Sequence, residues 1–225
     1  VMAEAQPFRG VRKVIADRMM ASLHGTAQLT YHGDADITAL IQMRRGWKEQ
    51  GEPVSLEACV IFALAQTLRA FPAFNATADD RSITISEPVD LSIAISTPTG
   101  LMTPVVKDIG NDSLKALADK RRDLIGRAMS GKLSVSEMKG GSFTLSNLGH
   151  TRVRYFTPIL NAGQVALLGV GRLEDKVSLD AEGAVTVRQI LPLSLTADHR
   201  IIDGEPAGLF LDSLCKALEA FDAAP

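Results

Sequence analysis

The chain has 225 residues, 46% of them apolar and 22% charged, which is ample material for one large domain with its own core and excludes a disordered or low-complexity segment. A net charge of −2 excludes a general affinity for polyanions, nucleic acid among them. Two cysteines, Cys59 and Cys215, are too few for a disulfide framework and read as buried free thiols, which suits a reducing compartment.

Residues 1–7 contain alanine and proline and read as the end of a linker, with a single domain expected over residues 8–225. The first residues lack the basic start and apolar core of a signal peptide, and the longest apolar stretch, 58–65, is far too short for a bilayer. An intracellular protein is therefore expected. Val11, Val14, Ile15, Met19 and Leu23 recur at helical spacing up to Gly25. Leu29, Tyr31, Gly33, Ala35 and Ile37 occupy alternate positions and indicate a strand. Asp36 or Thr38 can cap the next helix, which carries Leu40, Met43 and Trp47 and closes at Gly51 and Pro53. Ser55 opens a helix over residues 56–71 that is apolar on nearly every side and therefore buried.

Short strands follow at 83–85 and 89–95, and Pro98-Thr99-Gly100 turns the chain into 101–106, a hairpin. Ser113 opens an amphipathic helix to about Lys132, with Leu114, Leu117, Leu124 and Ile125 inward. Strands are expected at 142–145, 165–170 and 190–196, and a last helix at 205–221. The sum is one α+β domain, a mixed sheet with flanking helices.

Near the end, an apolar strand stops at a polar elbow and a helix begins at once. His199 stands at the mouth of that strand, four residues ahead of Asp203. Asp203 and Gly204 sit where a helix N-terminus needs a side-chain cap and a permissive backbone. Taken alone, the segment also fits a strand-end histidine and a helix cap with no chemistry. The run Asp198-His199-Arg200-Ile201-Ile202-Asp203-Gly204 resembles the signature of the dihydrolipoamide acyltransferases of 2-oxo acid dehydrogenase complexes. Gly141-Ser142-Phe143-Thr144-Leu145-Ser146-Asn147-Leu148-Gly149 is similar to that family's other landmark, and the likeness runs from about Pro7 to about Phe221.

The resemblance implies a chloramphenicol-acetyltransferase-like two-layer sandwich. It also implies transfer of an acyl group between a dihydrolipoyl thiol and the thiol of coenzyme A, with no acyl-enzyme. His199 would be the general base and Ser146 the donor to the tetrahedral oxyanion. Asp203 would cap the last helix or form an ion pair that fixes the elbow, with Arg18 as a candidate partner. The resemblance places the site between subunits of a homotrimer, the histidine and serine coming from different chains. The lipoyl group would sit on a separate domain, and the dehydrogenase components of the complex would be partners. Ser146-Asn147-Leu148-Gly149 is nearer the acetyl-transferring, pyruvate-type pattern; succinyl, branched-chain and acetoin types are the alternatives. Two others are a stand-alone chloramphenicol-acetyltransferase-like enzyme and a non-catalytic structural core subunit. A bacterial cytoplasm is expected over a mitochondrial matrix.

The sequence departs from the family pattern after Gly149, where small residues give way to His150-Thr151-Arg152-Val153-Arg154. Arg152 and Arg154 either pair with structural carboxylates or bind a phosphate of coenzyme A or a carboxylate on the acyl group. Residues 220–225 are shorter and less apolar than the tail by which relatives join trimers into larger cores. His24, His32 and His150 lack metal-ligand spacing, so no metal is expected. Gly169-Val170-Gly171 lacks the third glycine and following helix of a dinucleotide loop. Arg9, Arg12 and Lys13 read as a solvated helix face first and as a contact to coenzyme A phosphates second.

Overall fold

A computed structural model describes residues 9–98 and 100–225; the linker expected over 1–7 and the turn residue Thr99 lie outside the described residues. In chain order the elements are α1 (Gly10–Gly25), β1 (Gln28–Asp36), α2 (Thr38–Glu49), α3 (Leu56–Ala70), β2 (Ala76–Ala78), β3 (Ile83–Ile85), β4 (Leu91–Thr97), β5 (Gly100–Met102) and β6 (Val105–Val106). They continue with α4 (Leu114–Met129), β7 (Phe143–Asn147), β8 (Ala166–Val170), β9 (Glu174–Leu179), β10 (Val185–Asp198) and α5 (Gly204–Glu219). Local chemistry sets these boundaries. The Ser55 hydroxyl accepts the Ala58 amide at 3.1 Å to open α3, and Ser113 does the same for α4 through Ala116 at 3.2 Å. Asp36 receives the Thr38 amide at the start of α2.

Eight strands form one mixed sheet in the order β1-β10-β8-β7-β4-β5, with β6 also on β4 and β9 on β10. The β4–β7 and β7–β8 pairs are parallel and the rest antiparallel, which is the mixed sheet expected. Helix α5 packs on β1, α3 on α5, and α4 on α3 and β4, giving the helical layer. Between the layers, Phe143 from the sheet, Phe210 from α5 and Phe74 are all fully buried, and the Phe74 and Phe210 rings stack at 4.2 Å. Burying one such ring contributes about 1.5–3 kcal/mol.

Three local expectations are corrected. The single strand expected over 101–106 is two, because Pro104 has no amide to continue a ladder; both pieces still pair with β4. The strand expected at 190–196 starts at Val185 and forms a hairpin with β9, where Val177, Leu179, Val185 and Val187 stay 52–73% exposed. The stripe of α1 is largely uncovered: Val14 and Leu23 remain about half exposed, and among the described side chains of the helix only Ser22 is buried, its hydroxyl donating to the Leu160 carbonyl at 2.7 Å.

Candidate active site

Ser146 lies on β7 between Ala94 of β4 and Gly169 of β8. The strand ends one residue later, where the Asn147 side chain accepts the Gly149 amide at 2.8 Å and bends the chain away. Half-buried Ser146 lines a cleft of about 610 Å³. One wall is Ile95 and Leu101 from the β4–β5 hairpin; another is Glu57 of α3 with Arg121 and Ile125 of α4. A smaller cleft of about 160 Å³ adjoins it through Glu57, Asn147 and His150.

After the cleft, residues 148–160 run as an irregular strap over the sheet, and the paired glycines make room for it. A methyl carbon on Gly169 would meet the Phe156 ring at 2.7 Å, and one on Gly171 would meet the Arg154 carbonyl oxygen at 1.7 Å. The strap is tied down by the Phe156 amide donating to the Ser194 hydroxyl at 3.3 Å and by Tyr155, whose hydroxyl donates to Asp34 at 2.5 Å. Burial and the Asp34 carboxylate push that phenol up to about 12, so it stays protonated as a donor. Arg154 is committed within the same segment: its guanidinium pairs with Glu174 at 2.7 Å and lies over the Tyr155 ring. Arg152 is exposed, with no ion pair among the described residues.

His199 follows the end of β10, and its side chain is exposed. Its backbone amide donates to the Ala27 carbonyl at 2.8 Å, fixing the elbow to the residue before β1. The side chain that holds this elbow is Asp198, 1% exposed. It accepts the Ala27 and Arg200 amides, each at 3.1 Å, and the Arg200 guanidinium at 2.7–3.1 Å. Burial alone would push the Asp198 carboxyl up, but the Arg200 guanidinium and the two amides outweigh it and hold the carboxyl below its usual range.

Asp203 occupies the N-cap position of α5, yet its side chain makes no capping bond and, among the described residues, no ion pair; it is exposed. Arg18 is also exposed and unpaired among the described residues. The elbow-fixing role expected of Asp203 thus falls to Asp198, because a carboxylate inside the turn reaches both amides while one at the helix start faces solvent. The Asp-x-Arg spacing around His199 was the available signal.

The sheet register separates the serine from the histidine. Ser146 is level with Gly169, and Gly169 with Ser194 on β10. His199 is five residues farther down β10, toward the start of β7. Two strand spacings and five residue rises put the two backbones about 19 Å apart within one chain. No group of three or more potential metal ligands occurs among the described residues, and no described helix is long and apolar enough to cross a membrane.

Residues 2–224 match the family model for the catalytic domain of 2-oxoacid dehydrogenases acyltransferase. The chain belongs to this acyltransferase family. It is 34% identical, over 95% of its length, to the dihydrolipoyllysine-residue acetyltransferase component of the Bacillus subtilis pyruvate dehydrogenase complex, covering 49% of that protein. It is 32% identical, over 95% of its length, to the succinyltransferase component of the Haemophilus influenzae 2-oxoglutarate dehydrogenase complex, covering 53%. The chain thus spans about half the length of the curated relatives it matches. Among solved structures, Azotobacter vinelandii dihydrolipoamide acetyltransferase superposes with a TM-score of 0.90 at 32% identity, covering 97% of this chain and 92% of that one; a serine, a histidine and an asparagine of that enzyme were investigated for their catalytic roles. A chloramphenicol acetyltransferase, at TM-score 0.59 and 20% identity over 90% of this chain and 94% of that one, shares the fold.

Proposed function

We propose that residues 8–225 are the catalytic domain of a dihydrolipoamide acetyltransferase, transferring an acetyl group between a dihydrolipoyl thiol and the thiol of coenzyme A. His199 takes the proton from the attacking thiol, a step that general bases accelerate about 10²–10⁴-fold. The thiolate attacks the thioester carbonyl directly. Ser146 donates its hydroxyl hydrogen to the oxyanion that forms, a donor whose loss costs on the order of 10²–10³ in rate. When the tetrahedral adduct collapses, the leaving thiolate recovers the proton from His199. Asp198 and Arg200 hold the elbow that presents the imidazole. Arg152, exposed beside the Ser146 strand, is the candidate contact to a coenzyme A phosphate; Arg154 is engaged by Glu174.

The observation that carries this reading is the register. His199 and Ser146 lie at opposite ends of the sheet, which supports a working site that combines the histidine of one copy with the serine of another; the homotrimer is what the family resemblance implies. The uncovered apolar residues of α1 and of the β9–β10 hairpin supply surface for such contact. A lipoyl group on a separate domain and the dehydrogenase components of a bacterial, cytoplasmic complex are the partners this activity requires. Acetyl is favoured by the Ser146-Asn147-Leu148-Gly149 pattern and by the likeness to the acetyl-transferring relatives.

The test uses free dihydrolipoamide and a panel of acyl-coenzyme A donors. Acetyl transfer should fall at least about 10²-fold in Ser146→Ala and in His199→Ala. Coexpressing the two inactive chains should restore about a quarter of parental activity, since random mixing leaves one site in four with both groups. Absence of transfer by the parent with every donor overturns the reading; absence of rescue overturns the shared site.

A further inference from the structure

The cleft beside Ser146 carries an ion pair that the acyl-transfer steps do not use. Glu57 stands in the first turn of α3 and Arg121 midway along α4. Arg121 Nε donates to Glu57 Oε2 at 2.7 Å, and Nη2 donates to the same oxygen. Their side chains are 11% and 19% exposed, so each charge relies on the other rather than on water. The rest of the lining is mixed: Ile95, Leu101, Ile125 and Leu148 are apolar, while Ser96, Ser146, Asn147 and His150 are polar. Arg121 is the one lysine or arginine among the described residues lining this cleft.

We infer that the Glu57–Arg121 pair is a charge filter that sets acyl choice, admitting short uncharged acyl groups and turning away those that end in a carboxylate. The inference rests on the acyltransferase reading and assigns its substrate class. A carboxylate leaving water needs a cation or several donors to replace its hydration. Here the guanidinium already spends two of its donors on Glu57, the Glu57 carboxylate presents a like charge, and the other polar side chains of the lining, Ser96, Ser146, Asn147 and His150, supply no second lysine or arginine. An acetyl group asks for none of this. Removing the carboxylate while keeping its shape, in Glu57→Gln, leaves a guanidinium fork free to receive the distal carboxylate of a dicarboxylic acyl group.

The experiment compares kcat/KM for acetyl-coenzyme A and succinyl-coenzyme A, with dihydrolipoamide as acceptor, in the parent, Glu57→Gln, Arg121→Gln and the double variant. The parent should favour acetyl. Glu57→Gln should raise the succinyl-to-acetyl ratio on the order of tenfold, and the double variant should lose that gain. Arg121→Gln, with its carboxylate uncompensated, should fall below the double variant, and that comparison carries the test should Glu57→Gln not fold. An unchanged ratio in folded Glu57→Gln, or a gain that persists without Arg121, overturns the filter. So does a parent that prefers succinyl, although acyl transfer then stands. A parent that transfers neither group overturns the acyltransferase reading and the filter with it.

Discussion

Asp198 offers the most direct test of how the elbow is built. Asp198→Ala deletes the acceptor of the Ala27 and Arg200 amides, both held at 3.1 Å, inside a turn where the carboxylate is 1% exposed. A hydrogen bond to a charged acceptor contributes about 1.5–3 kcal/mol, and the two amides lie at the low end because Ala27 and Arg200 are themselves exposed. The Arg200 side chain is 41% exposed, so its ion pair adds only about 0–1 kcal/mol. The loss is about 3–4 kcal/mol, which at this chain length lowers Tm by about 10 °C. Because the His199 amide is bonded to the Ala27 carbonyl, loosening Ala27 also displaces the imidazole, and kcat should fall on the order of 10²-fold. Asp198→Asn keeps an acceptor oxygen and should cost less on both counts.

The pH dependence has a definite sign. The folded carboxyl titrates below its unfolded value, so its stabilisation is complete above about 3.9 and fades as pH falls through the folded value. Thermal melts of parent and variants at matched protein concentration, from pH 3 to 7, would read this directly, and the Asn variant should show a flatter acid limb. An Asp198→Ala protein that melts within about 2 °C of the parent and turns over normally would refute the reasoning.

Two further outcomes follow from packing. Gly171→Ala should destabilise by more than about 3 kcal/mol and Gly169→Ala by about 1–3 kcal/mol in urea melts, because the first meets backbone at 1.7 Å and the second a ring that can shift. Equal costs would show that the strap yields freely. Cys59, pushed up to about 11 by burial, should be thiolate at only on the order of 10⁻³ at pH 8. Cys215, raised to about 12 by burial and by Glu219 and Asp212, should be less so, and a thiol reagent should modify both at least about 100-fold faster in denaturant.

What was legible in the sequence was local. Ser55 and Ser113 mark helix starts because a cap is settled by three residues of chain, and the His199 elbow is visible as a strand running straight into a helix. The β9–β10 hairpin was not read, although Asp180 accepts the Glu182 and Ala184 amides and Gly183 takes a positive φ of 82° at its turn. Its valines lie on an uncovered face, where burial does not impose a core pattern. Asp203 drew attention that belonged to Asp198, since sequence shows which residue stands at a helix start but not which carboxylate points inward. Glu57 and Arg121 were unreadable as a pair: they lie 64 residues apart, Glu57 in the first turn of an apolar helix and Arg121 on a charged one, and only packing of α3 on α4 joins them.

The separation of His199 and Ser146 along the sheet also has a kinetic consequence. Under the proposed reaction, an isolated chain owns two half-sites and no whole one, so its specific activity is not a constant but a function of dilution. Above the association midpoint the rate grows in proportion to protein; below it, with a third-order equilibrium, the rate falls toward the cube of concentration. A freshly made chain is therefore silent toward thioesters until it meets its copies, and quality control of assembly comes without any added inhibitor.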